Sequence, residues 1–300
     1  MTARADWLTW RRGGLGGSDL PAVLGISPWS SPFAVWVDKV GLLPAEDDET
    51  DFMEFGRWAE LMIGPWFASR TGLTVAGEQT WCSHPGEPWQ RCTVDGFVLD
   101  DPDACLADAR GLMQIKTTAP GRRWEEIPAH IQAQEQWEMH VTGLDHVWLP
   151  VLHGRRLEVY ELERDQDDID MMIDRARSFW FDNVLAQQPP PIDGSDATER
   201  ALKALYPEAT PGKSIELDPD QWTDLRQLGN AKVTERAAAA QAKELTNRIR
   251  AAMGDAYEGT IGGRRAVTLG TQTRKTTCPD CGAVRESAPF RVLRPIKEFA

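Results

Sequence analysis

Asp95, Gln114 and Lys116 are the residues whose types and spacing best fit chemistry on a phosphate. Asp95 sits in Thr93-Val94-Asp95-Gly96-Phe97, and nineteen residues on comes Leu112-Met113-Gln114-Ile115-Lys116-Thr117. Side chains two apart on a strand share a face, so Gln114 and Lys116 project together. An acid on one strand, with an oxygen ligand and a lysine on its neighbour, is the arrangement of a metal-dependent phosphodiesterase. The carboxylate holds Mg²⁺, the cation polarises the phosphate and its water, and the lysine orients or deprotonates the nucleophile. Glu60 adds a second acid, on a helical stretch where its i±4 neighbours are Gly56 and Gly64. Such a bare face lets another backbone or a metal site approach closely. A solvated helix glutamate is the ordinary reading of Glu60, and Asp95 and Lys116 downstream turn the balance toward a ligand.

These residues need elements to position them. Gly16-Gly17-Ser18-Asp19-Leu20-Pro21 is a helix-start signature. Residues 33–40 read as a helix stopped near Gly41. From Thr50 to Arg70, Phe52, Phe55, Ala59, Met62, Ile63 and Phe67 recur at helical spacing, with Pro65 expected to kink the helix. Three strand-like runs follow at 73–82, 89–99 and 111–118. A helix spans 127–141 and ends at Gly143. Residues 146–152 and 155–162 read as a hairpin, followed by a helix from about 167 to 185. Gln188-Pro189-Pro190-Pro191 is a stop and linker, 218–253 a long polar helix, and the remainder short strands.

Composition sets outer bounds. With 300 residues, 41% hydrophobic and 26% charged, the chain can bury a core. No stretch approaches the roughly 20 apolar residues of a membrane helix, and five cysteines are too few for a disulfide-stapled secreted scaffold. The expectation is a soluble intracellular protein. A net charge of −13 opposes nonspecific binding to nucleic acid, but residues 258–300 carry eight bases against four acids, which leaves −17 on the rest.

Taken together, these motifs resemble the YqaJ viral recombinase family. The likeness is carried by the run Trp7 to Asp19, by Gly56 with Glu60, by Val94-Asp95-Gly96, by Gln114-Ile115-Lys116 and by the run Gln134 to Gly143, in order across residues 5–210. That family includes phage lambda-type exonuclease, within the PD-(D/E)XK nucleases. The resemblance implies an α/β (α+β) fold: a central mixed sheet flanked by helices, restriction-endonuclease-like. It implies a nuclease core over 1–190, a linker with short elements over 191–217, and a long helix plus β extension over 218–300. The implied activity is Mg²⁺- (or Mn²⁺-) dependent 5′→3′ digestion of double-stranded DNA ends, leaving a 3′ overhang. The implied setting is a phage or prophage recombination system in the bacterial cytoplasm, with a single-strand annealing protein as partner and a ring of three copies.

The same resemblance assigns roles. Asp95, Gln114, the Ile115 carbonyl and Glu60 hold metal, Lys116 serves the water, and Gln134 contacts substrate or steadies the acids. Arg11 and Ser18 hold the 5′-phosphate of the DNA. Ser18 also makes independent sense there, because a helix N-terminus favours an anion and Arg11 offers a fork of donors; simple N-capping is compatible with that role. Arg122 and Arg123, directly after the catalytic strand, fit contacts to backbone phosphates. The family has Glu or Asp where this chain has Gln114. The amide can ligate a cation but brings no charge, so Gln114 is either the natural residue of a weak or altered nuclease or a Glu→Gln replacement that binds DNA without cutting it.

Other features say less. Cys278-Pro279-Asp280-Cys281 is half a zinc site, a redox pair or a tight turn. Trp58, Trp66 and Trp180 read as core. Trp29 and Trp124 lie in loops, where packing or stacking on a terminal base are the alternatives; His130 and His140 read as helix-surface or core residues. Two other functions stay open: a DNA-end-binding module without catalysis, and a CxxC-centred zinc or redox adaptor.

Overall fold

The computed structural model describes residues 3–44, 51–119, 121–277 and 283–296. Cys278 and Cys281 lie outside them, as does the side chain of Phe52. Among the described residues no helix is long and apolar enough to cross a membrane. The chain divides into two units, one ending at Ala209 and the other beginning at Thr210.

The first unit opens with four helices, α1 (Ala3–Arg12), α2 (Leu20–Val23), α3 (Pro32–Val40) and α4 (Asp51–Thr71). Ser31 caps α3 by accepting from the Ala34 amide, Pro32 sits at its first position, and Gly41 closes it at φ +77°. The strands that follow are β1 (Thr74–Ala76), β2 (Thr80–Ser83), β3 (Arg91–Val94), β4 (Gly96–Leu99), β5 (Gly111–Met113) and β6 (Lys116–Thr118). After them come α5 (Ala129–Thr142), the hairpin β7 (His146–His153) and β8 (Arg156–Glu163), and α6 (Gln166–Ser178). A π-helical turn over Phe179–Leu185 continues α6, and α7 (Asp196–Leu205) completes the unit. α7 docks on α3, where Thr198 donates to the Ser31 hydroxyl at 2.7 Å.

Each expected strand run is broken in two, and the breaks matter. Residues 73–82 form β1 and β2, and 89–99 form β3 and β4; β1 and β4 belong to the central sheet, while β2 and β3 pair as a separate ribbon. The third run splits at Gln114–Ile115 into β5 and β6, which lie end to end along β7 in one register (Leu112 opposite Val147, Lys116 opposite Val151). β8 covers the other edge of β7, and β4 and β1 extend the sheet beyond β5. Parallel and antiparallel pairs make the sheet mixed, as expected.

The core lies on both faces of this sheet. Leu112, Val147, Leu149 and Val151 pack with Trp137, Met139, Phe179 and Trp180 on one side. Met113, Ile115, Trp148 and Leu152 pack under Ala59, Ile63 and Phe67 of α4 on the other. Phe55, Met62 and Trp58 lie off that row and are exposed, Trp58 by 65%, which corrects the expectation that Trp58 is core. The α4 face beside Glu60 is likewise not closely approached, since nothing lies within 4 Å of a Cβ at Gly56 and a Cβ at Gly64 meets only Met113 Cε at 3.7 Å.

The second unit has α8 (Pro219–Met253), then β9 (Glu258–Ile261), β10 (Arg264–Gln272), β11 (Lys275–Thr277), β12 (Val284–Glu286) and β13 (Phe290–Pro295). Asp218 and Gln221 form a capping box at the start of α8, which suits a helix with no buried residue along its length. β13, β10 and β9 make one small sheet, and β11 with β12 another.

Candidate active site

The site forms where the β4–β5 ladder ends. The last backbone pair is Gly96 with Met113, and side chains take over the next two amides. Asp95 N–H donates to Gln114 Oε1 at 2.8 Å, and Ile115 N–H donates to Asp95 Oδ2 at 2.8 Å. This reciprocal pair fixes the Asp95 carboxylate against the 114–115 peptide. It also explains the strand breaks, because amides that would continue the ladder are held by side chains instead.

Gln114 and Lys116 both reach α5, as their shared parity predicts. Gln114 Nε2 donates to Glu138 Oε1 at 3.1 Å, and Lys116 Nζ donates to Gln134 Oε1 at 3.2 Å and stands 3.5 Å from Glu135. Gln134 Nε2 closes the network on Glu138 Oε1 at 2.9 Å. Glu135 and Glu138 are buried, and neither oxygen of Glu135 nor Oε2 of Glu138 has a hydrogen-bond partner among the described residues. Both lie in the motif 134–143, yet no role followed from the sequence. A helix glutamate reads as solvated until the sheet packs on it; the i, i+4 spacing of Glu138 from Gln134 was the available signal.

Glu60 faces the site from α4. The Gln79 amide stands between the two acids, donating at 3.0 Å to Glu60 Oε2 and at 3.0 Å to Asp95 Oδ1. Gln79 lies in the turn between β1 and β2 with φ +55°, a conformation uncommon for a residue with a side chain, and nothing in its sequence context marked it.

Electrostatics follow from burial. Burial, with Asp95 adding repulsion, pushes the Glu60 carboxyl up to about 7. Burial also raises Asp95, against the opposing pull of Lys116. Glu135 is pushed up to about 7 by burial, and Glu138 is raised by burial and by Glu135. Burial works against the Lys116 charge, but Glu135, Glu138 and Asp95 outweigh it and its pKa rises. Lys116 is therefore a held cation.

The donor set fits a hard cation. Asp95 and Glu60 come close enough to share one N–H donor group, the Gln79 amide, and their mutual repulsion helps raise Glu60, so a cation held by the two would offset that repulsion. No group of three or more His, Cys, Asp or Glu able to hold a metal occurs among the described residues. One or two carboxylates with retained water is the usual binding mode of Mg²⁺.

A cavity of about 90 Å³ opens beside this network, walled by Trp10, Arg11, Ser18, Arg91, Gln134 and Glu138 among others. Here the expectation for Ser18 needs correction. α2 begins only at Leu20, spans four residues, and has Asp19 rather than Ser18 at its N-cap. Asp19 does not cap with its side chain, because that carboxylate accepts from Gly16 N–H and pairs with Arg11 at 2.8 Å and buried Lys39 at 2.6 Å. Ser18 is exposed on the cavity wall and Arg11 lines it, also bonding Asp38 at 3.2 Å. Arg122 and Arg123 follow β6; Arg123 pairs with Glu158 at 2.9 Å. Trp29 is 67% exposed and meets His130 edge-on, while Trp124 packs on Tyr160 and His153.

Residues 6–145 match the YqaJ-like viral recombinase domain. "Uncharacterized protein YqaJ" of Bacillus subtilis (strain 168) is 33% identical over 271 residues, covering 88% of this chain and 82% of that protein. Among solved structures, the alkaline exonuclease LHK-Exo from Laribacter hongkongensis is similar at 17% identity and a TM-score of 0.48, over 61% of this chain and 94% of its own. A phage-related exonuclease from Haemophilus somnus 129PT is similar at 12% identity and a TM-score of 0.44, over 58% and 96%.

Proposed function

The chain belongs to the YqaJ-like viral recombinase family, and on that premise we propose that it is a metal-dependent exonuclease acting on double-stranded DNA ends. The observation that supports this reading is the clasp of Asp95 against the 114–115 peptide, with Lys116 alongside and Glu60 opposite. Asp95, Glu60 and the Ile115 carbonyl would hold Mg²⁺ or Mn²⁺, and the second lone pair of Gln114 Oε1 faces the same task. Such a cation, when bound, supplies Lewis-acid polarisation of the phosphate and lowers the pKa of a water.

The chain's own residues do the rest. Asp95 orients the site because both its oxygens and its amide are fixed. Lys116, kept protonated by the α5 acids, is a point charge for the scissile phosphate and its water. Gln134 positions Lys116 through its amide oxygen. Gln114 braces Asp95 with one end of its amide and Glu138 with the other. Arg11 and Ser18 receive the 5′ end, which sets 5′→3′ polarity and leaves a 3′ overhang. Arg122 and Arg123 contact backbone phosphates, so sequence preference is minimal. A single-strand annealing partner and a ring of three copies complete the reading.

The test is digestion of a linear 5′-phosphorylated duplex with Mg²⁺, comparing the chain, Gln114→Glu, and each with Asp95→Ala. Cutting that Asp95→Ala abolishes supports the nuclease. If only the Gln114→Glu protein cuts, the amide is an inactivating residue. If none cuts while all bind DNA ends, the protein is an end-binding module.

A further inference from the structure

The β2–β3 ribbon sets two cysteines opposite each other. In its register Cys82 faces Cys92, between the pairs Trp81 with Thr93 and Ser83 with Arg91. Directly opposed residues of an antiparallel pair stand about 4.5–5.5 Å apart at Cα, inside the roughly 4.4–6.8 Å that a disulfide spans. Both are free thiols, and they are hydrogen-bonded to each other.

The two thiols differ in access. Cys82 is half-buried, and its Sγ reaches the Thr80 carbonyl at 3.9 Å. Cys92 is buried in the core with Trp137. The hydrogen bond from Cys92 favours a thiolate at Cys82 and lowers its pKa against the effect of burial, whereas the same bond and burial raise Cys92. An accessible thiol with a shielded one behind it supplies the attacked and the resolving member of an oxidation pair.

The ribbon leads to the candidate site. β2 begins at Thr80, next to Gln79, and β3 ends at Val94, next to Asp95, with Thr80 opposite Val94. Gln79, whose amide joins Glu60 to Asp95, and Asp95 itself therefore leave from one end of the ribbon, two pairs beyond the cysteines.

We propose that Cys82 and Cys92 are a reversible dithiol–disulfide pair, oxidised by a peroxide, whose closure clamps the ribbon that carries Gln79 and Asp95. The Cys82 thiolate attacks one peroxide oxygen, the O–O bond breaks and hydroxide leaves. The sulfur becomes a sulfenic acid, oxidised by two electrons as the peroxide is reduced. Cys92 sulfur then attacks Cys82 sulfur, an S–S bond replaces the S–O bond, and a second hydroxide leaves. Protons released by the two thiols turn both hydroxides into water, so two thiols and one hydrogen peroxide give one disulfide and two waters. A dithiol reductant reverses the bond by exchange. This chemistry belongs to the ribbon and holds whether or not the chain cuts DNA.

The experiment treats the full chain carrying Cys105→Ser with hydrogen peroxide, at a dose that oxidises Cys105 in the unsubstituted chain. Cysteines are then mapped by alkylation, tryptic digestion and mass spectrometry. Trypsin places Cys82 in peptide 71–91 and Cys92 in 92–110, so a linked pair of peptides that dithiothreitol separates is expected. The melting temperature should rise by about 5 °C on oxidation and return on reduction, and amide hydrogen exchange across 79–95 should slow. Adding Cys92→Ala should strand Cys82 as a sulfenic acid captured by dimedone, and adding Cys82→Ala should leave Cys92 a thiol. The peptide map needs no substitution in the ribbon, so it decides the matter even where those variants fold poorly. Cys82 and Cys92 both remaining thiols overturns the proposal, as does sulfinic acid at Cys82 above a reduced Cys92. A disulfide that leaves exchange across 79–95 unchanged overturns the clamp.

Discussion

Asp19 joins the N-terminal segments to one another. Its carboxyl is pushed down to about 2: burial opposes ionisation, but Lys39 and Arg11 outweigh it. The Lys39 side chain is fully buried beside it. Replacing one member leaves an uncompensated buried charge, so Asp19→Asn should cost about 3–5 kcal/mol in denaturant unfolding. The Asp19 contribution is present above the ordinary carboxylate range and is lost as pH falls toward 2. Glu60 and Glu135 behave oppositely. With folded pKa values raised to about 7, each retains a proton that the unfolded chain has released, so their contribution is full below the ordinary carboxylate pKa and is lost as pH rises through 7. In cation-free buffer the melting temperature should therefore decline between pH 5 and 8, and Glu135→Gln should flatten the decline; an equally steep profile in the variant would refute the assignment. At this scale Asp95, Gln114, Lys116 and Gln134 were legible because strand parity and motif order placed them. Glu135, Glu138 and Gln79 were not, since their roles depend on what packs over a helix and on a left-handed turn residue.

At the scale of elements, α5 is the piece that makes the site rigid. Trp137 is fully buried, its ring beside those of Trp89 and His140, and its indole N–H donates to the Arg91 carbonyl of β3 at 3.0 Å. Trp137→Ala should cost about 3–5 kcal/mol, read by denaturant titration, and should loosen Arg91 together with Gln134 and Glu138. The helices over 33–40, 127–141 and 167–185 and the hairpin were readable from periodicity and from stops such as Gly41 and Gly143. The strand runs were placed correctly but read as continuous. Alternation persists through Gln114–Ile115 because the register along β7 never shifts, so the pattern carries no trace of the amides that leave the ladder. Trp58 departs from its expected core position for a related reason: it keeps helical company with apolar neighbours, although only the Ala59–Ile63–Phe67 row of α4 meets the sheet.

For the whole molecule, the division after Ala209 falls in a segment exposed on nearly every residue from 206 to 218. Limited proteolysis should cut there first and release a fragment ending near residue 209 that still melts cooperatively; early cleavage inside β7 or α5 would contradict the division. The proline run at 188–191 looked like the boundary in the sequence, whereas α7 beyond it packs on α3. The same division also partitions charge. Residues 210–300 carry 15 Lys and Arg against 11 Asp and Glu, so the second unit is net +4 and the first −17. On the proposed nuclease reading, long-range attraction to DNA would then belong to one unit and the Asp95–Lys116 chemistry to the other. Counterion release on binding should come mainly from the C-terminal one, so the logarithm of DNA affinity should fall steeply with the logarithm of salt for the full chain and more gently for a fragment ending at Ala209.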